Sequence, residues 1–513
     1  MTATVTSPTS DQAAARSWSE RITSALDKNF WKYAFAFLLL FLVCAVVEDL
    51  RLKMWNDEIV TLYVAQQGSP AEIVQATKEG MDTTPPLYPI IVSVILPIIK
   101  PDALAVRLPS TVGFTAMLFF VLAFCRGRMP AVYAFIAALV VVVACGFYAT
   151  EGRCYGMVLG CAAGVLFCWR AATEHNPRFL WLTLLAVFLA LATALHYYSV
   201  FLLLPLGVAE VLRWRRTRRL DFAMLAAMLP ALAVLVLHYP LIAAGRKYLS
   251  HFWAPGLASW GQIPDFYLQF AIVPGGVILL SLIVAATISL DGPRPSLPSH
   301  EWIAVGALAL LPVFIITASK YTTHVFVARY ALSGVIGLAI LSAALLWSSS
   351  NRRPLVGIAV LAAVFAIFAG RLLRDIYQAP PTLRQGGAIY RELQHLPVTA
   401  EPIVIAYNHA FMELSYYAEP QIRERLVYPL SREVEMKYTG SDLDYLLLSA
   451  VRHRTKLNYV DLDAFLASNP RFILVAMSHD YLQQYLLTSG FRLVPLSSMA
   501  GPDIFEVLPK GTQ

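Results

Sequence analysis

Tyr33-Ala-Phe-Ala-Phe-Leu-Leu-Leu-Phe-Leu-Val-Cys-Ala-Val-Val47, followed at once by Glu48-Asp49 and soon after by Trp55-Asn56-Asp57-Glu58, decides how this chain is read. A cleaved signal sequence ends on small residues, whereas this run starts beyond residue 30 and ends on two acids, so it is expected to stay as a membrane anchor. The rest of the chain agrees. Of its 513 residues 58% are hydrophobic and 14% charged, against roughly 45–50% apolar and about 25% charged in soluble domains. With a mean hydropathy of +0.60, too few polar residues remain to surface a soluble core of this size. A soluble enzyme, a disordered scaffold and a secreted disulfide protein are excluded. The chain is a polytopic α-helical membrane protein.

A spanning helix needs about 20 mainly apolar residues. Candidates lie near 33–47, 108–125, 131–149, 155–169, 179–201, 200–212, 221–243, 266–290, 301–319, 330–348 and 354–370, about 11 spans in all. The fifth and sixth are divided by a polar corner, His196-Tyr197-Tyr198-Ser199. The net charge of +7 is not a nucleic-acid signal, because the basic residues sit between apolar runs. They are the N-terminal Arg16, Arg21, Lys28 and Lys32, then Arg126/Arg128, Arg170/Arg178, the run from Arg213 to Arg219, and Arg352/Arg353. Counted along the spans, all fall on one side, the cytoplasmic side by the positive-inside rule. The six cysteines match neither a zinc site nor a disulfide framework and read as buried packing residues.

After residue 370 short apolar strands alternate with amphipathic helical stretches, the pattern of a soluble α/β domain. The expected division is a cytoplasmic tail at 1–32, a transmembrane part at 33–370 with a long first loop at 48–107, and an α/β domain at 371–513. An odd span count puts that domain and the first loop on the same, non-cytoplasmic face.

In a chain this apolar, ionisable residues at span ends are costly, so they pair or work. Asp57 and Glu58 open an amphipathic segment after the first span; taken alone, such a pair also suits a solvated helix start. Thr83-Thr84-Pro85-Pro86-Leu87-Tyr88 starts a stretch, 86–99, that reads as re-entrant or surface-lying. Glu151-Gly-Arg153-Cys-Tyr155 is a charged knot between two spans, whose Arg suits either an anionic ligand or Glu151 itself. His196, Tyr197, Arg246, Lys247, His251, Trp253, Lys320, His324, Arg329 and Tyr330 fall on the same face. Each alone fits an interfacial anchor; together they fit a site for an anionic lipid headgroup and a sugar.

The order of these segments resembles a known family. WxDE after the first span, PPLY in the first loop, Arg107-Leu-Pro-Ser110 at the next span, ExRxY after the third and ARY before a late span are similar to the polytopic GT-C glycosyltransferases. The nearest branch holds the protein O-mannosyltransferases and the lipid A aminoarabinose transferases. The resemblance covers most of residues 30–370 and implies inverting transfer of a sugar from a polyprenyl phosphate to an acceptor at the periplasmic face of a bacterial inner membrane. It implies Asp57 as general base, with Glu58 as its neighbour or substitute, and Arg153, Tyr155, Lys320, Arg329 and Tyr330 around the donor phosphate. Tyr88, His196, Tyr197, His251 and His324 are further substrate-binding candidates. Thr84 departs from the branch, which often carries His or Lys before PPL, so a phosphate contact expected there must come from elsewhere.

No metal-ligand spacing is visible, and a monophosphate donor asks less for a divalent ion than a pyrophosphate does. The expected partners are a polyprenyl-phosphate-linked sugar, a lipid or protein acceptor and the bilayer, with no nucleic acid. The alternative is a transporter or flippase of lipid-linked sugars, whose charges belong near the bilayer midplane. A polysaccharide polymerase or ligase ranks between the two.

Overall fold

Backbone polar groups find no water inside a bilayer, so apolar spans fold as helices that satisfy their own hydrogen bonds. A computed structural model describes residues 18–249, 258–287, 295–350, 353–378, 383–384, 386–396, 400–477, 480–497, 503–509 and 511. The chain begins there with an amphipathic helix, α1 (Trp18–Lys28), and the first span, α2 (Phe30–Arg51). The first loop folds into three short helices, α3 (Asn56–Ala65), α4 (Pro70–Glu79) and α5 (Leu87–Ile95). Then follow α6 (Asp102–Arg126), α7 (Ala131–Cys145), α8 (Tyr155–Glu174), α9 (Arg178–Leu195) and α10 (Leu203–Thr217).

Three pairs come next: α11 (Phe222–Leu237) with α12 (Tyr239–Leu249), α13 (Gln262–Phe270) with α14 (Ile272–Thr287), and α15 (Ser299–Ala309) with α16 (Leu311–Tyr321). They are bent by 49°, 81° and 49°. Each bend has the same cause: the second helix carries a proline in its first turn, Pro240, Pro274 or Pro312, which cannot continue the preceding hydrogen-bond ladder. The 17-residue α17 (Ser333–Ser349) and α18 (Pro354–Gln378) complete the bundle. Among the described residues seven helices are long and apolar enough to cross a membrane, and ten if each bent pair is one span. The protein is a multi-pass membrane protein.

The polar corner expected near 198–202 is present, as a 3₁₀ turn over Tyr197–Leu202 between α9 and α10. One boundary moves: α18 runs past residue 370 to Gln378, because its apolar run is followed by residues that are also good helix formers. Arg371 and Arg374 are therefore helical, and Arg371 donates to the Val143 carbonyl of α7. One cysteine also departs from expectation: Cys125, Cys145, Cys154, Cys161 and Cys168 are buried, whereas Cys44 is partly exposed.

Small residues let α6 and α8 touch backbone to backbone. A Cβ on Gly156 would lie 2.2 Å from the Ser110 carbonyl oxygen, and one on Gly113 2.4 Å from the Met157 Cα. The basic clusters meet at one end of the bundle. Arg126 pairs with Asp27 at 3.3 Å, Arg128 with Glu174 and Glu301, Arg178 with Asp221, and Arg213 with Glu210 at 2.7 Å.

The C-terminal region opens with α19 (Gly387–His395) and builds a six-stranded sheet, β1 (Ile403–Ile405), β2 (Leu426–Leu430), β3 (Tyr459–Asp461), β4 (Phe472–Ala476), β5 (Arg492–Ser497) and β6 (Asp503–Leu508). The order is β3-β2-β1-β4-β6-β5, parallel through β4, with β6 antiparallel to β4 and to β5. Strands β1, β2 and β4 are buried throughout, as parallel strands covered by helices must be. Helix α20 (Asn408–Tyr417) seats the sheet on the first loop: the Met54 N–H donates to Tyr417 Oη at 2.7 Å, and Tyr416 Oη donates to Asp102 at 3.2 Å.

Candidate active site

Helix α3 starts at Asn56, so Asp57 and Glu58 lie about 100° apart around its first turn. They enter different surroundings. Glu58 is 1% exposed and meets Arg107, 2% exposed, through two bonds: Nε to Oε1 at 2.7 Å and Nη2 to Oε2 at 2.6 Å. The Gly152 N–H adds a third at 2.6 Å. The remaining Arg107 donors reach the carbonyls of Asp49, Leu52 and Lys53 at 2.9, 2.8 and 3.0 Å. Gly152 has to be glycine, because a Cβ there would lie 2.5 Å from Val106 Cγ1. Glu58 thus ties the first loop to α6 through its ion pair with Arg107.

Arg153 is likewise committed. Its Nη1 donates to Asp82 Oδ2 at 2.7 Å and to Thr61 Oγ1 at 3.0 Å, and its Nη2 reaches Asp82 Oδ1 at 3.3 Å. Burial acts to raise the Asp82 carboxyl, but Arg153 and the Thr84 N–H outweigh it and hold it below the usual range. The partner of Arg153 is therefore Asp82, and not Glu151. One guanidinium edge of Arg153 is thus spent on Asp82, where the sequence suggested a donor phosphate.

Asp57 is differently placed. Its Oδ2 lies 3.4 Å from Arg329 Nη2, a loose contact with both side chains about one-fifth exposed. Arg329 comes from a 3₁₀ turn, Ala328–Ala331, and its guanidinium stands 5.6 Å over the Tyr155 ring, while its buried Nε has no hydrogen-bond partner. Tyr330 stacks at 5.2 Å on Tyr198 and lies 4.9 Å from His196. Glu151 completes the group. It is 3% exposed, its Oε2 has no partner, and burial pushes its carboxyl up to about 7, with Arg329 pulling down and Asp57 pushing up.

Of the residues expected from sequence, the structure gathers Asp57, Tyr155, His196, Arg329 and Tyr330, with Glu151 beside them. It separates others. Tyr88 is buried with its hydroxyl donated to the Val106 carbonyl at 2.8 Å, so it is a packing residue. Tyr197 turns toward His238, ring to ring at 5.8 Å. Lys320 lies 4.9 Å over the Trp260 ring, and His324 is an exposed turn residue with φ 58°. His251 and Trp253 lie outside the described residues. Arg107 and Asp82 were not singled out as site residues; an Arg just inside an apolar helix and an acid just before Thr-Thr-Pro-Pro were the available signals.

A cavity of about 1150 Å³ reaches this centre from between α2, α7 and α18. Phe41, Val47, Val143 and Phe368 form part of its apolar wall, Cys44 borders it, and Tyr148 and Glu151 also line it. Among the described residues no three His, Cys, Asp or Glu side chains converge as a metal ion's ligands do.

No protein-family model and no curated protein matches the chain. Solved structures do. The aminoarabinose transferase ArnT of Cupriavidus metallidurans, bound to undecaprenyl phosphate, superposes with a TM-score of 0.57 at 13% identity, over 94% of this chain and 100% of that one. The same protein in the apo state gives 0.42 at 14% identity, over 95% and 99%. An Archaeoglobus fulgidus oligosaccharyltransferase in complex with zinc and sulfate gives 0.45 at 11%, over 92% and 73%. The first of these matches extends through both the helical bundle and the C-terminal sheet, so the chain has the GT-C fold.

Proposed function

We propose that this protein is an inverting glycosyltransferase that moves a sugar from a polyprenyl monophosphate to an envelope acceptor, lipid or protein, at the periplasmic face of a bacterial inner membrane. The observation that carries the reading is the Asp57–Arg329 pair: an acid and a cation held 3.4 Å apart, the buried Arg329 Nε without a partner, beside Glu151, which lines a large cavity. The likeness in fold to a structure holding undecaprenyl phosphate supports it.

Asp57 accepts the proton of the acceptor hydroxyl as that oxygen bonds to the anomeric carbon. The bond from the anomeric carbon to the phosphate oxygen breaks on the opposite side, and the electron pair leaves with the polyprenyl phosphate. Arg329, with Tyr155 and Tyr330 around it, meets the charge that grows on that phosphate. Its unpartnered Nε is a donor already desolvated before substrate arrives. Tyr148 and Glu151 line the cavity wall beside this pair.

The test is transfer of labelled sugar from a panel of polyprenyl-phosphate donors in membranes holding the natural chain or Asp57→Asn at matched expression. Consumption of one donor by the natural chain and loss of it in the variant is expected. If no donor is consumed, or Asp57→Asn transfers as well, the reading fails.

A further inference from the structure

At the end of the bundle where the basic clusters meet, a second cavity, of about 470 Å³, opens between α2, α6, α8 and α9. At about 1.5 Å per residue it lies roughly 28 Å along α6 from Arg107, far from the Asp57 centre. Its walls are aromatic: Trp31, Phe119, Phe120, Phe167 and Trp181. The rings hold one another, Phe120 to Phe167 and Phe167 to Trp181 at 5.7 Å and Trp31 to Phe119 at 5.8 Å. Trp31 and Phe35, a turn further along α2, are exposed on the outside of the bundle, so lipid chains border the opening.

Two guanidinium groups, Arg126 and Arg170, share this apolar cavity, and among the described residues no acid lines it. Arg170 is 4% exposed. Its Nη1 donates to the Phe124 carbonyl, and its guanidinium lies 5.0 Å from the Phe124 ring and 5.6 Å from the Phe167 ring. Its Nε makes no hydrogen bond and stands 3.8 Å from Glu174 Oε2, an acid already bonded to Arg128. The Arg170 head is pressed against Gly127, where a Cβ would lie 2.5 Å from Nη2. Arg126 is the accessible cation, one-third exposed. It stands 3.3 Å from Asp27 Oδ1, and its bonds to the Met129 and Asp27 carbonyls are long, 3.5 and 3.4 Å. The buried Trp181 Nε1 has no acceptor either.

Both unsatisfied side-chain groups of this wall, Arg170 Nε and Trp181 Nε1, are donors, and leaving a buried donor unmade is costly. An aromatic box alone suits an ammonium headgroup, but two guanidinium groups repel one. What fits is a negative group that only accepts hydrogen bonds and is carried on hydrocarbon chains. We propose that this cavity binds an anionic phospholipid of the adjoining leaflet, with its phosphate on Arg126, Arg170 behind it, and an acyl chain along Trp31 and Phe119. Basic pockets between membrane helices recognise such headgroups, and the positive-inside reading puts this one in the leaflet that is richest in them. The lipid then joins α2, α6, α8 and α9 at the end remote from the chemistry, a role in stability that does not depend on the transferase reading.

The test is native mass spectrometry of the full chain, freed of lipid in a neutral detergent and titrated with phosphatidylglycerol or with phosphatidylcholine of the same chains. The first phosphatidylglycerol is expected to bind at least tenfold more tightly and to raise the melting temperature, and equimolar undecaprenyl phosphate should not displace it. Arg126→Gln/Trp181→Phe should abolish both preferences; it changes a partly exposed cation and keeps an aromatic ring, so the fold survives where Arg170→Gln, a deeply buried change, can fail to fold. A phosphatidylglycerol with a photoreactive acyl chain should label α2 and α6 around Trp31 and Phe119. Equal affinity for the two lipids, an unchanged preference in the double variant, displacement by undecaprenyl phosphate, or label confined to other helices each overturns the proposal. No sugar donor enters the measurement, so its failure and that of the transferase reading are separate results.

Discussion

Asp57 and Glu58 are neighbours in sequence, both acidic, both in the first turn of α3, and they belong to opposite kinds of site. Glu58 and Arg153 are matched at close range, with Arg107 and Asp82 as the partners. Around Asp57 the one ion pair is long, and buried donors and acceptors on Arg329 and Glu151 are left over. In the first, sealed region the matched pairs hold the first loop to α6 and the start of α8. The second, open region has only the long contact between Asp57 and Arg329 among the ion pairs of the described residues. Residue type does not separate the two acids; the completeness of their hydrogen bonding does.

The largest expected effect comes from unsealing the first region. Arg107→Met leaves Glu58 buried without its cation, a change that costs about 3–5 kcal/mol for such pairs. Thermal unfolding of the purified protein should show it as a large loss of stability or of folded yield. Arg107→Met combined with Glu58→Gln should cost less than Arg107→Met alone, because no bare charge remains. An additive double variant would mean that the two side chains do not act as a pair. Asp57→Asn should do the reverse: thermal stability stays close to that of the natural chain while transfer falls by about 10²–10⁴, the usual share of a general base. A variant that unfolds instead would move Asp57 into the sealed class.

The sequence carried the bundle far better than this division. Apolar length placed the expected stretches on helices or bent pairs, up to ten of which are long and apolar enough to span among the described residues, and the His196–Ser199 corner is where polarity put it. The gathering of Asp57, Tyr155, Arg329 and Tyr330 was legible because ionisable and phenolic residues at span ends in an apolar chain have few other places to go. Partner choice was not legible. Arg153 stands two residues from Glu151 yet pairs with Asp82, 71 positions away, because the fold of α3 to α5 brings Asp82 over it. The cations that line the large cavity also escaped, since Lys53, Arg371 and Arg384 come from segments that read as separate loops and meet only when α18 runs on past the bundle.

Acidity should pull the two regions in opposite directions. Glu151 is raised from 4.5 to about 7 by burial, so the folded state holds its proton more tightly than the unfolded one. Its contribution is full below the unfolded value and is lost as pH rises to about 7; at about 1.4 kcal/mol per pH unit this amounts to some 3 kcal/mol. Asp82 is lowered, burial being outweighed by Arg153, so its contribution is present above the unfolded value and is lost on acidification. Melting temperature against pH should therefore lose part of its fall between pH 4.5 and 7 in Glu151→Gln, and part of its acid-side fall in Asp82→Asn. Parallel curves for Glu151→Gln and the natural chain would place Glu151 with the satisfied acids.

The weakest expected effect tests whether matching alone, without burial, makes a sealed pair. Arg454 Nε donates to Glu79 Oε2 at 2.6 Å, as short as any bond between Arg107 and Glu58, and it joins the C-terminal region to α4. The difference is water: these side chains are 20% and 40% exposed, where Arg107 and Glu58 are 2% and 1%. In water the Coulomb gain is small and two long side chains must be ordered to obtain it, so such pairs give about 0.2–1 kcal/mol. Arg454→Ala should therefore lower the melting temperature slightly, and the difference should vanish in about 1 M salt, where charges are screened within about 3 Å. The Arg107→Met loss should persist in the same salt, because no counter-ion reaches that pair. If both differences shrink alike, exposure is not what divides the two ion pairs, and the seal over Glu58 lies in geometry alone.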